Sequence, residues 1–200
     1  MPKAFSPLTR LLHWLNAVCV LGLTTSGWAI YNAAPFYPFE FPKEITLGGY
    51  LTPALRWHFL FMWGLMFGAT LQIFLRVFLA RGGPALSPIH SKILAEEFVD
   101  TLKLRLMHSA GIYVHTQRLL YLTVFALFVL VILSGLALWK PVQLQFIAEG
   151  LGGYEAVRRW HFWSMAGLVG FILIHVAMVM IVPSTLLVML FGAQPEKEKE

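Results

Sequence analysis

The chain has 200 residues, of which 58% are hydrophobic and 12% charged, and its net charge is +5 with a mean hydropathy of +0.70. Soluble domains carry about twice that share of charge, so a water-soluble globular protein is excluded and a membrane protein is expected. The basic balance needs no nucleic-acid partner, because basic loops beside anionic lipid headgroups account for it.

In chain order, Lys3 and Arg10 precede a first apolar run at about 11–31. The run is longer than the ~7–15 apolar residues of a signal peptide and contains His13 and Asn16, so it is read as a retained anchor. Residues 32–56 follow as a loop rich in proline and aromatics, expected to form an ordered cap at the membrane surface. A second run covers about 57–79. The 80–118 segment opens with the breaker sequence RGGPALSP and then places Ile93, Leu94, Phe98, Leu102 and Leu106 at helical spacing among charges. That pattern predicts an amphipathic helix lying on the inner leaflet. A third run at about 119–139, a short loop turning at Gly152 and Gly153, a fourth run at about 162–182 and a charged, disordered tail at 192–200 complete the chain.

Each run reaches the roughly 20 residues that cross a bilayer core. The expected fold class is therefore an all-α integral membrane protein, a four-helix transmembrane bundle forming one domain over 1–191, without an internal repeat of fixed period. With the N-terminus inside, nine basic residues (Lys3, Arg10, Arg81, Lys92, Lys103, Arg105, Arg118, Lys197, Lys199) lie on the cytoplasmic side and five (Lys43, Arg56, Lys140, Arg158, Arg159) on the other. That excess places both termini in the cytoplasm. Trp14, Trp28, Trp57, Trp139 and Trp160 stand at span ends, as an aromatic belt requires.

Four of the seven histidines, His13, His58, His161 and His175, lie in or at the ends of these spans. Ionisable groups at membrane depth are costly and mark functional sites. His161 and His175 are fourteen residues apart, which brings them within about 40° of one helix face and ~21 Å apart along it. Along the proposed topology, His58 and His161 share the outer level and His13 and His175 the inner one. Paired imidazoles across a bundle core are what a six-coordinate haem iron requires. Zinc fits less well, since pairs ~21 Å apart cannot meet at one tetrahedral centre. With a single cysteine, Cys19, and no C-x-x-C-H, a disulfide, a cysteine cluster and covalent haem attachment are excluded.

The same stripes assign further residues. Gly27, fourteen after His13, leaves room for a flat macrocycle at the outer level, and Gln72, fourteen after His58, is polar at the inner level. Leu168, midway between His161 and His175, is expected between the two haems. Arg10, Arg56, Arg158 and Arg159 lie within a turn of the ligands, where either a haem propionate or a lipid headgroup can pair with them. His90, His108 and His115 are read as surface residues.

The strings LLHW in the first span, RWHF in the second, HTQRLLYLTVFALFVLVILSGLALW in the third and RRWHFWSMAGLVGFILIHV in the fourth resemble the bacterial cytochrome b561 and nickel-iron hydrogenase b-type cytochrome superfamily, over about residues 8–190. The entry to and exit from the third span look most like the thiosulfate-reductase-type cytochrome b subunits, which accompany periplasmic molybdenum enzymes. The resemblance implies a bacterial inner-membrane subunit with two b haems that carries electrons between a periplasmic redox subunit, a molybdoenzyme or similar, and the quinone pool. It also implies His58 and His161 as ligands of the outer haem and His13 and His175 of the inner one. By analogy with formate-dehydrogenase-like relatives, quinone candidates beside the inner haem are Arg10, Gln72, Gln117 and Arg118.

Two other function classes compete. A stand-alone superoxide:ubiquinone oxidoreductase, as in similar short b561 proteins, needs a basic open outer pocket that Arg158 and Arg159 can supply. A non-redox transporter or scaffold predicts no haem at all.

Overall fold

The computed structural model describes residues 6–75 and 114–192, and all regular structure among them is helical. The amphipathic helix expected within 80–118 and the charged tail lie outside the described residues, except where the third long helix begins. The elements are α1 (Pro7–Ala33), a 3-10 turn (Lys43–Ile45), α2 (Leu51–Phe74), α3 (Val114–Trp139), α4 (Gln145–Gly150), α5 (Tyr154–Ile181) and α6 (Pro183–Phe191). Among the described residues, three stretches are long and apolar enough to cross a membrane: Leu51–Phe74, Leu122–Trp139 and Tyr154–Ile181. Helix α1 has 27 residues but carries Arg10, His13, Asn16, Thr24, Thr25 and Ser26, and it is not among the three. The chain divides into two units, Met1–Pro84 with Ala177–Glu200, and Ala85–Val176.

In the first unit, α1 starts where sequence chemistry starts helices. Ser6 accepts a hydrogen bond from the Thr9 amide at 3.2 Å, and Pro7 opens the first turn. Helix α1 packs along α2 through small residues on alternating sides. Gly22 receives the Phe61 ring, Gly64 lies against the Cys19 sulfur, and Gly68 lies against the Asn16 amide. Without a hydrophobic driving force between helices in lipid, such close approach is how they adhere. Cys19 is buried there as a small apolar side chain.

Between these helices the aromatic loop is pinned to the end of α1. Trp28 stacks on Phe41 at 4.7 Å and Tyr31 on Phe39 at 5.3 Å. The Tyr31 hydroxyl donates to the Phe39 carbonyl, and Asn32 clamps both backbone groups of Phe41 at 2.8 and 2.9 Å. At the other end of the unit, α6 ends in a left-handed Gly192 (φ 79°). The Arg10 guanidinium closes this end: Nη1 donates to the Leu190 carbonyl at 2.8 Å, and a Cβ on Gly192 would lie 2.9 Å from Arg10 Cζ. A cation at a helix C-terminus is favoured by both the dipole and the unpaired carbonyls.

In the second unit, α3 and α5 form another hairpin, closed at the loop end by α4. Ala137, Ala148 and Val157 form a small core there, with Leu138, Ile147 and Leu151 packed around it. Gly167 of α5 receives the Leu127 side chain of α3.

The two hairpins share a repeat, although not one of fixed period. Ser26-Gly27 recurs as Ser134-Gly135, Leu-Gly-Gly-Tyr at 47–50 recurs at 151–154, and Arg-Trp-His-Phe at 56–59 recurs at 159–162. The packing recurs with them. Cys19 on Gly64 corresponds to Leu127 on Gly167, and fully buried Ala54 to fully buried Val157. The offsets are 108, 104 and 103 residues, because the connecting loops differ in length, and so no single period exists.

Each Leu-Gly-Gly-Tyr turn starts the second helix of its hairpin through glycines at positive φ, 103° and 67° at Gly48 and Gly49, 95° and 90° at Gly152 and Gly153. That conformation is closed to most side chains. A Cβ on Gly48 would also lie 2.5 Å from the Ala54 backbone nitrogen, whereas one on Gly49 meets nothing among the described residues. Gly48→Ala should therefore destabilise the protein by about 3 kcal/mol and Gly49→Ala by about 1 kcal/mol. Thermal unfolding of the purified variants in detergent should rank them in that order.

Candidate functional site

His58 stands near the start of α2 and His161 near the start of α5, each the third residue of its Arg-Trp-His-Phe segment. In both hairpins the imidazole reaches a serine of the preceding long helix. The Ser26 hydroxyl lies 3.0 Å from His58 Nδ1, and the Ser134 hydroxyl 3.1 Å from His161 Nδ1. Both serines are completely buried. The adjacent glycine makes room for the ring: a Cβ on Gly27 would lie 3.5 Å from His58 Cε1, and one on Gly135 3.1 Å from His161 Cε1.

The proton positions follow from the serines' other bonds. Each hydroxyl donates to a carbonyl four residues earlier, Gly22 or Leu130, at 2.6 Å, the usual back-bond of a serine inside a helix. Its proton is thereby committed, so the oxygen faces the histidine as an acceptor and Nδ1 carries the hydrogen. His161 gives a second argument, because its Nδ1 is also 3.0 Å from the Val131 carbonyl, which can only accept. In both rings the lone pair is then on Nε2, the nitrogen that a metal takes while its ring partner is held by an oxygen.

The other expected site residues are placed as follows. Gly27 lies at the depth of His58, where the imidazole itself fills the space beside it. Leu168 is buried on α5, midway between His161 and His175. His175 stacks on Phe171 one turn earlier, at 6.1 Å, and His13 meets Trp14 edge-on at 5.5 Å. Gln72 accepts a hydrogen bond from the Asn16 side-chain amide at 2.9 Å, so α1 and α2 share a polar level one turn from His13. Arg56 lines a surface cleft with Pro53, Trp57 and Leu60, and Arg159 its counterpart with Gly152, Glu155, Ala156, Trp160 and Trp163. Each arginine is two residues from its histidine, about 200° around the helix, and so belongs to the opposite face. Arg158, by contrast, is on the His161 side and pairs with Glu155 at 3.1 Å. The side chains of His115, Gln117 and Arg118 lie outside the described residues.

Three serines were missed in the sequence. Ser26 and Ser134 were signalled by the repeated Ser-Gly pair, which becomes visible once the two Arg-Trp-His-Phe strings are aligned. Ser164 had no signal. Its hydroxyl is buried, is without a hydrogen-bond partner among the described residues, and lies one turn after His161 on α5.

Comparison with known proteins follows this geometry. Residues 4–192 match the family described as prokaryotic cytochrome b561. A protein of Azospira oryzae, described as "Putative protein-methionine-sulfoxide reductase subunit YedZ1", is 46% identical over 187 residues, which are 93% of this chain and 94% of that protein. No solved structure matches.

Proposed function

The chain belongs to the prokaryotic cytochrome b561 family, and from that membership we propose that it is the membrane subunit of a quinone-linked oxidoreductase, carrying electrons through two b haems to or from a periplasmic redox partner. In this reading four helices cross the bacterial inner membrane with both termini in the cytoplasm, α1 among them because it packs along the apolar α2. His58 and His161 are the axial ligands of the outer haem, His13 and His175 those of the inner one. The observation that carries the assignment is the matched pair of serine-held imidazoles, both with the lone pair on Nε2. This donor fits a b haem, whose porphyrin supplies the remaining nitrogens and whose iron needs only neutral imidazole from the protein. Bound there, the haem supplies one-electron chemistry.

The protein's own residues set where that chemistry occurs. They hold the imidazoles of His58 and His161 in one tautomer and place buried, apolar Leu168 midway between His161 and His175. Gln72, Gln117, Arg118 and Arg10 remain the quinone candidates at the inner level. Gln72 is bonded to Asn16 and is thereby held in one orientation. Arg158, on the ligand side of α5, is the better propionate partner than Arg56 or Arg159, whose clefts suit lipid headgroups.

The Azospira relative is described as a subunit of a protein-methionine-sulfoxide reductase, which points to electrons leaving quinol and passing outward. Reducing a sulfoxide to a thioether and water takes two electrons and two protons, and one quinol supplies two electrons, which one-electron carriers pass in single steps. A periplasmic molybdenum enzyme is the partner class that fits such oxygen-atom chemistry. The stand-alone superoxide:ubiquinone reading is weaker, since Arg158 is already paired with Glu155 and less of its charge is available to an anion.

Reductive titration of the purified protein followed by visible spectroscopy tests the proposal. Two b-type components reducible by quinol are expected. A spectrum without b haem overturns it, and rapid quinone reduction by superoxide with the subunit alone favours the alternative.

A further inference from the structure

Ser26 and Ser134, which hold the two imidazoles, are the most closely matched feature of the two hairpins. Both are completely buried and follow the same chain of bonds: carbonyl of residue i−4, hydroxyl, histidine Nδ1. In each case a glycine follows the serine, and its missing side chain is the space the ring fills. A serine that served only to pack helices would need no histidine partner, and a back-bonded hydroxyl is otherwise satisfied by its own helix.

Building on the haem ligation proposed above, we propose that Ser26 and Ser134 are positioning residues that fix the tautomer, plane and electron donation of the outer haem's two axial histidines. The physical effect runs through the Nδ1–H bond. An acceptor on that hydrogen raises the basicity of Nε2, and a more basic ligand favours ferric over ferrous iron, lowering the potential. Removing the acceptor weakens that donation.

In the second hairpin the Val131 carbonyl, 3.0 Å from His161 Nδ1, adds to the acceptor that Ser134 supplies. Ser26→Ala and Ser134→Ala each remove one hydroxyl acceptor from the Nδ1–H of an outer-haem histidine.

The experiment is potentiometric titration of the full chain in detergent for Ser26→Ala, Ser134→Ala, Ser26→Thr and Ser134→Thr, with haem content measured in parallel. The component absent from His58→Ala identifies the outer haem. Expected are a raised midpoint for that haem in Ser26→Ala and in Ser134→Ala, no change at the inner haem, and recovery toward wild type with threonine, which restores the hydroxyl. Loss of the outer haem in Ser26→Ala that Ser26→Thr restores also supports the role. An unmoved outer midpoint in both alanine variants, a shift of equal size at both haems, or a loss that threonine does not restore overturns it. Absence of b haem from the wild-type protein defeats the ligation reading itself, which distinguishes the two failures.

Discussion

Replacing His58 or His161 by alanine should remove the same b haem, leaving about half the haem of the wild-type protein, while His13→Ala and His175→Ala should each remove the other. A bis-histidine iron loses its low-spin coordination when one axial imidazole is cut back to a methyl group, and four single variants then sort into two spectroscopic classes. The classes follow membrane level rather than hairpin: His13 and His58 are in one hairpin yet fall in different classes. Pyridine haemochrome content and reductive titration of the four purified variants provide the measurement. If instead the two variants of one hairpin lose the same component, each haem is held within a hairpin and the ligand assignment fails.

A comparable loss is expected without touching a ligand. Leucine at Gly135 should expel the His161 ring, because even the Cβ would stand 3.1 Å from Cε1 and 3.5 Å from Nδ1. The rest of the side chain then has only the imidazole's own volume to enter. Overpacking of this kind costs about 1–3 kcal/mol when neighbours can shift, and here the neighbour that must shift is the proposed ligand. Gly27 separates volume from backbone effects. Its Cβ would meet His58 Cε1 at 3.5 Å, an ordinary contact, so Gly27→Ala should retain both haems and gain about 1 kcal/mol from helix propensity. Gly135→Leu and Gly27→Leu should lose the outer haem only. Haem stoichiometry together with helical content by circular dichroism distinguishes ring displacement from unfolding, and full haem retention in Gly135→Leu would refute the steric account.

What the sequence disclosed and what it hid divide along a physical line. Histidines in apolar runs were conspicuous because charge-capable groups are rare at that depth, and their spacing carried geometry. The aromatic loop at 32–56 was legible as an ordered cap, since Phe36, Tyr37, Phe39 and Phe41 have no reason to be concentrated in a solvated linker. Serines were not legible. Inside an apolar helix Ser26 looks like any small packing residue, and only the fold shows which histidine its hydroxyl meets. The repeat was hidden for a different reason: loops of unequal length shifted its three matching strings by different amounts. Arg10 is one turn from His13 in the sequence, but its Nη1 donates to the Leu190 carbonyl. That partner is 180 residues away, on a short helix that the hydropathy pattern ran together with the end of the fourth span and the tail.

That clasp has a consequence for counting crossings. Each passage of the chain through a bilayer moves it to the other side, so an odd number of passages leaves the two ends on opposite faces. Arg10, in the first turn of α1, and Leu190, in the last turn of α6, are 2.8 Å apart. The three apolar helices among the described residues are by themselves an odd number. The proposed passage of α1 makes the number even, and an even number is what allows a residue near the start of the chain to hydrogen-bond to one near its end.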